Sequence, residues 1–196
     1  MNMPVQLSAG ARRDLARAIA NRTFELSPAG LYIPGATNLF IGGSLLTRVN
    51  GRDEQIDPNT MTLEGISYLL KAGVAGFAQI SNWYVALFSG NVTPTTALTA
   101  ANFVATQTEF TNYAEATRVA WAQDAESGQE ITNGTTKAEF TVGSGGGTIW
   151  GAAITSASAK SATTGTLLAC SKFTASRPLL EADVLSLEYT LAGMDG

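Results

Sequence analysis

The spacing of apolar positions changes character near residue 80. Upstream of it, Leu63, Ile66, Leu69 and Leu70 recur at helical spacing, with Asp57-Pro58-Asn59-Thr60 ahead as a helix start and Gly73 as a stop. The expected role of this helix is to seal one end of a β core. A second, Ala-rich helix is predicted over Ser8–Arg22, with Ser8 as cap and Leu15, Ala18 and Ile19 on one narrow stripe. Downstream, the period is that of strands. Trp83–Phe88 is a continuous apolar run, expected to be covered on both faces. Lys137–Val142 places Ala138, Phe140 and Val142 on one side, and Val184–Leu191 does the same with Leu185, Leu187, Tyr189 and Leu191. Thr117–Gln123, Thr148–Thr155 and Thr166–Phe173 complete six predicted strands.

Turn signals punctuate these runs. Asn50-Gly51 suits a two-residue hairpin with positive φ at both positions. Ser127-Gly128, Asn133-Gly134, Gly143–Gly147 and Thr164-Gly165 separate the later strands. Pro28, Gly30, Pro34 and Gly35 break regular structure and predict an extended arm over 23–50, with Leu31, Ile33, Leu39, Phe40 and Ile41 as apolar anchors. The fold class expected is mainly β: an antiparallel β-sandwich or jelly-roll-like domain with an N-terminal arm and one or two short helices. The expected division is 1–50 for helix and arm, 51–81 for a helical connector, and 82–196 for the sandwich.

Composition narrows the chemistry. The 196 residues contain no histidine, which removes Ser-His-Asp and Cys-His catalysis and histidine zinc sites together. Charged residues make up 14%, well under the usual quarter, so the polar surface is built from Ser, Thr, Asn, Gln and Gly. Such a surface suits a protein held against neighbours. The net charge of −4 argues against nucleic acid as a main partner, although Arg12, Arg13, Arg17 and Arg22 face only Asp14 near the start. That cluster is either a solvated helix face or a grip for an acidic partner surface or an RNA backbone. Cys170 is alone and reads as a small buried thiol, with no internal disulfide. No secretory signal or membrane span is expected, since MNMPVQLSAGARRD has no apolar core and Tyr68–Ile80 is short and interrupted.

Carboxylates group at Asp53, Glu54 and Asp57, read as charges near a helix start, and at Asp124, Glu126 and Glu130, in an acidic turn. Neither has calcium-loop spacing, and a carboxylate hydrolase is the weakest function considered. GSGGG at Gly143–Gly147 precedes a strand and lacks a following Lys-Ser/Thr, so it reads as a mobile hairpin connection and not a phosphate loop. Trp83, Tyr84, Trp121 and Trp150 are open to two readings, core aromatics or a sugar-binding platform. No catalytic, cofactor-binding or metal residues are assigned, and no cofactor is expected.

The series WYVALFSGN, TPTTALTAANF, TEFTNYAEATRVAW, GTIWGAAITSASAKSATTG and LLEADVLSLEYTL resembles small virion proteins of tailed bacteriophages, the head decoration or cement proteins. The likeness covers about 82–192, and RTFELSPAGLYIPG and EGISYLL fit it more loosely. The resemblance implies a non-enzymatic virion protein on the outer capsid, made in the host cytoplasm. It would clamp neighbouring major capsid protein subunits, often as a trimer. The alternative it implies is a tail, head-fibre or receptor-binding virion protein that contacts the host surface. Mass action explains how a cement works, since whatever binds only the assembled shell stabilises it, and symmetry adds weak contacts through avidity.

Overall fold

The structure, a computed structural model, describes residues 25–27, 30–32 and 39–195, and their side chains from 41 to 193. The expected helix over Ser8–Arg22 and the anchor Ile33 lie outside the described residues, as do the side chains of the anchors Leu31, Leu39 and Phe40. The chain divides into two compact units, Met1–Phe40 with Met194–Gly196, and Ile41–Gly193. Within the first, β1 (Glu25–Ser27) and β2 (Gly30–Tyr32) form an antiparallel pair.

The second unit is a sandwich of two antiparallel sheets. One sheet has the order β10 (Ala138–Thr141), β13 (Val184–Asp195), β3 (Leu39–Val49), β4 (Arg52–Pro58), and β9 (Glu130–Ile131) also pairs with β13. The other has the order β5 (Thr60–Met61), β12 (Leu167–Leu179), β11 (Gly147–Thr155), β6 (Tyr84–Phe88), β7 (Glu109–Phe110), and β8 (Val119–Ala120) also pairs with β6. Leu45, Phe140, Leu185, Leu187 and Tyr189 of the first sheet share one buried cluster with Val85, Leu87, Ala152 and Ile154 of the second. The alternation expected of 137–142 and 184–191 is therefore the core face of a real sheet.

The six-stranded sheet is buried on its outer face too. Ala86 and Phe88 of β6, Ala153 of β11 and Cys170 of β12 pack with Leu98 and Phe103. Phe103 belongs to a helix that the sequence pattern did not predict; the described helices are α1 (Leu63–Val74) and α2 (Ala100–Gln107). The expectation that 83–88 is covered on both sides holds, and α2 supplies the second cover. Burial leaves Cys170 a fully enclosed thiol whose pKa is pushed well up by desolvation.

Two expected boundaries move. The helix begins at Leu63 and not at Asp57–Thr60, because Thr60 and Met61 pair with Cys170 and Ala169 and hold the backbone extended. Thr62 is the cap, its hydroxyl accepting from the Gly65 amide at 2.9 Å. At the far end the chain turns at Gly76 (φ 71°), beyond Gly73, with the Ala75 amide donating to the Lys71 carbonyl. Predicted strand 117–123 shrinks to Val119–Ala120, and predicted strand 166–173 lengthens to Leu179.

The segment from Ile41 to Val49, expected as part of a free arm, is a strand whose Leu45 is 1% exposed. Its turn is the hairpin expected, with Asn50 at φ 49° and Gly51 at φ 71°. Asn50 also reaches across to the β12–β13 turn, donating to Asp183 at 2.8 Å and accepting from the Val184 amide at 2.9 Å. The Asn50 amide and the Leu180 N–H hold the Asp183 carboxyl below its usual pKa. The GSGGG segment also differs from expectation. It passes from β10 in one sheet to β11 in the other, and the Asn112 amide pins it by donating to the carbonyls of Ser144 and Gly146 at 3.0 Å.

α1 lies close on β12: a Cβ built at Gly65 would collide with the backbone of Leu168, whereas one at Gly73 meets nothing within 4 Å. Gly65→Ala is expected to cost about 3 kcal/mol of unfolding free energy by urea titration. Gly73→Ala, relieving an exposed helical glycine, is expected to add about 0.5–1 kcal/mol.

Candidate functional site

The long strand β12 cannot pair regularly along its length. Opposite Trp150 it bulges through Phe173–Ser176, since Ile149 faces Arg177 while Gly151 faces Lys172. The amide freed at Thr174 donates to the Asp57 carboxylate at 2.6 Å, and Gln55 Nε2 donates to the same group at 2.7 Å. Asp57 is fully buried. It therefore serves the bulge and does not stand before a helix start, as expected of it. Of its expected companions, Asp53 is an exposed left-handed residue (φ 53°) at the irregularity where β4 pairs β3, and Glu54 pairs with Arg48. The carboxylate near the α1 start is Glu64, which sequence reasoning passed over. Its Oε2 accepts from the Ala100 amide at the head of α2 and from the Leu167 amide of β12, both at 2.9 Å.

The most deeply buried charge pair is Arg118 with Glu109, each side chain 1% exposed. The contact is bidentate, with Nε and Nη2 donating to the two carboxylate oxygens at 2.8 Å. Arg118 also donates to the carbonyls of Ala157 and Ala162, and Glu109 accepts from the Ser161 amide. Four of the five guanidinium N–H groups and both carboxylate oxygens are engaged, so the pair fastens the 157–162 loop. Beside it, Lys160 Nζ donates to the carbonyls of Thr111 and Tyr113 and lies 3.7 Å from the centre of the Tyr113 ring. Desolvation lowers the Lys160 pKa, against the pull of Glu115 and Glu109. Desolvation, then Glu109, raises that of Tyr113.

Arg118 leads directly into β8 and Trp121, and here the structure opens a cleft. Its volume is about 210 Å³. It is lined by Tyr68 and Leu69 of α1, by Trp83, Trp121, Ile131, Leu168 and Leu191, and by Gln123 and Asp124. The aromatic residues are held from behind. Trp121 donates its backbone amide to Trp83 and its ring Nε1 to the Tyr189 carbonyl at 3.2 Å, with the two rings edge to face at 5.1 Å. Tyr68 meets Trp83 edge-on at 5.2 Å and accepts from the Ile80 amide. Asp124 is fixed by its amide to Thr132 and by accepting the Thr135 amide at 3.0 Å.

Of the two readings of the aromatics, the core one holds for Trp83 and Trp121, which are buried in the core cluster and reach the cleft only with their margins. Tyr84 does not line the cleft, and Trp150 packs on the outer-face cluster. The acidic turn splits likewise: Asp124 lines the cleft, Glu126 accepts the Gln129 amide, and Glu130 is exposed on β9. Tyr68 was missed, because in sequence it is one more apolar helix position. Among the described residues no group of three or more acidic, cysteine or histidine side chains could hold a metal, and no helix is long and apolar enough to cross a membrane.

Comparison with known proteins now bears on these features. Residues 66–191 match a family model, and what it defines is a bacteriophage virion structural protein. That model is described as podophage GP4 fiber I protein gp80, and the chain belongs to this family. The matched span holds every residue lining the cleft, from Tyr68 to Leu191. Comparison with curated proteins gives no match.

Because Arg118 and Glu109 are both desolvated, removing one leaves the other charge unpaired. Arg118→Met and Glu109→Gln are each expected to cost about 3–5 kcal/mol in chemical denaturation. The double variant Glu109→Leu/Arg118→Met is expected to lose less than the sum.

Proposed function

We propose that this protein is a fibre subunit of the virion that acts by shape and contact, without enzymatic activity. The family match over 66–191 carries this reading. It favours the fibre alternative over a head decoration protein clamping the major capsid protein, which the sequence resemblance put first. The disposition of charge is in keeping with a structural role: Asp57, Glu64, Glu109 and Arg118 are all engaged by backbone or by each other.

The outer face of α1 supports assembly into a homo-oligomer, with a trimer the state that the sequence resemblance favours. Ile66 and Leu69 pack inward, yet Leu63, Leu70 and Val74 are 61%, 59% and 84% exposed. Their spacing of seven and four places them on one stripe, and Phe77, 61% exposed, turns back beside Lys71. A contiguous apolar stripe of this kind is usual where one subunit meets another. A second copy of the same helix presents the matching seam.

Gold-labelled antibody against the chain, viewed on intact particles, is expected to mark fibres; label spread evenly over the head would overturn the fibre reading. Val74→Lys is expected to leave the thermal midpoint within about 2–4 °C while lowering the mass of the oligomer in light scattering. An unchanged mass would remove α1 from the interface.

A further inference from the structure

We propose that Asn50 is a site of spontaneous deamidation, converting to aspartate and isoaspartate through a cyclic imide closed by the Gly51 nitrogen. The chain has two Asn-Gly pairs, Asn50-Gly51 and Asn133-Gly134. Glycine favours such ring closure because no side chain hinders its amide nitrogen. The fold separates the two pairs. Asn50 and Gly51 are both exposed at the β3–β4 turn, and a Cβ built at Gly51 meets nothing within 4 Å. Among the described residues the Gly51 amide has no backbone partner. Asn133 is 0% exposed; its carboxamide donates to the carbonyls of Thr136 and Leu187 and accepts from the Tyr189 amide. A Cβ at Gly134 would press on the Glu188 carboxylate at 3.1 Å. Turning the Asn133 carboxamide onto its own backbone would strand three backbone groups in the interior. At Asn50 water takes up whatever the side chain releases.

The neighbours of Asn50 also bear on the chemistry. The Val184 amide donates to Asn50 Oδ1 at 2.9 Å, and this oxygen carries the negative charge when the carboxamide carbon is attacked. The Gly51 nitrogen, its proton lost to hydroxide, bonds to Cγ of Asn50. The Cγ–Nδ2 bond then breaks, and Nδ2 leaves as ammonia with a proton from water. Water opens the imide at either carbonyl, so asparagine and water give aspartate or isoaspartate and ammonia. The product cannot keep the present tie between turns. Nδ2 now donates to the Asp183 carboxylate at 2.8 Å, and a carboxylate in its place sets two negative groups face to face. Isoaspartate also adds a methylene to the main chain, where Val49 and Arg52 pair across a two-residue turn. The link from the β3–β4 turn to the β12–β13 turn is thereby lost slowly and in one direction.

This inference does not rest on the fibre reading. Trypsin, cutting after Arg48, Arg52, Arg118 and Lys137, releases the two pairs in separate peptides, Val49–Arg52 and Val119–Lys137. The full chain is held for weeks at mildly alkaline pH, and mass spectrometry of these peptides follows the exchange of amide for acid. In the folded protein, conversion at Asn50 is expected to outrun that at Asn133 by about tenfold or more, since Asn133 reacts only after local opening. In guanidinium the two are expected to convert at similar rates, which assigns the difference to the fold. No conversion at Asn50 in the folded chain, or conversion at Asn133 that keeps pace with it, overturns the proposal. So does a difference that persists unchanged in guanidinium. Asn50→Asp carries the product's charge with the main chain intact. It is expected to melt below the wild type at neutral pH, with the gap closing as pH falls and the two carboxyls come to share a proton. Equal melting at neutral pH would overturn the predicted loss of the tie.

Discussion

The adjacent strands β6 and β11 are covered on both faces, and the rest of the unit follows from that. A sheet facing solvent on one side needs a single layer to complete it; one enclosed on both sides needs two. Here the five-stranded sheet provides one cover and α2 with Leu98 the other. Val85 and Leu87 point to the first while Ala86 and Phe88 point to the second, so four of the five residues of the strand have a packing duty. Full burial of a side chain such as Phe88 or Leu87 stabilises by about 1.5–3 kcal/mol, and these are the positions at which polar replacement cannot be absorbed.

Enclosure has a polar consequence. Edges and bulges that would be hydrated on an open sheet must find partners inside. Four buried polar side chains meet that need. Asp57 takes the amide freed by the β12 bulge, and Thr62 ties the head of α1 to Leu167. Asn133 fills the gap between β9 and β10, donating to the Leu187 carbonyl and accepting the Tyr189 amide where no strand continues the ladder. Arg118 joins Glu109 to the 157–162 loop. These residues are irreplaceable by local similarity because each answers a particular missing backbone partner.

This explains what could be read from the chain and what could not. Ala138, Phe140, Leu185 and Leu187 announced their faces by simple alternation, and Asn50-Gly51 announced its turn. α2 did not, since AANFVATQ is short and Thr/Ala-rich, and its cap relies on Asn102 reaching back to the Thr99 amide at 2.8 Å. Pro178 reads as a strand end, yet it sits opposite Thr148 within β12, whose bulge lets the strand resume. Asp57 and Arg118 were legible only as charges; their partners lie 117 and 9 residues away, and no local pattern encodes such distances. Trp83 and Trp150 both lie in strongly apolar runs, whereas the segment around Trp121 alternates less clearly. The bulge opposite Trp150 and the Arg118 anchor ahead of Trp121 decide which face each one reaches.

The same rigidity bears on what the molecule can do. The cleft is lined from α1, from β9, β12 and β13, from residues next to β6 and β8, and from the loop after Trp121, and a surface so supported loses less entropy on contact than one made of loops alone. Trp83 and Trp121 are themselves core residues, packed edge to face on Tyr68 and Tyr189, so the fold and the cleft cannot be altered independently there. The lining at Gln123 and Asp124 is different, being carried on the segment between β8 and β9 and free of core packing. Residues carried on such a segment can vary without changing how the rest of the unit folds. In this chain that freedom is confined to a few residues after Trp121, and the covered pair β6–β11 is what makes the confinement possible.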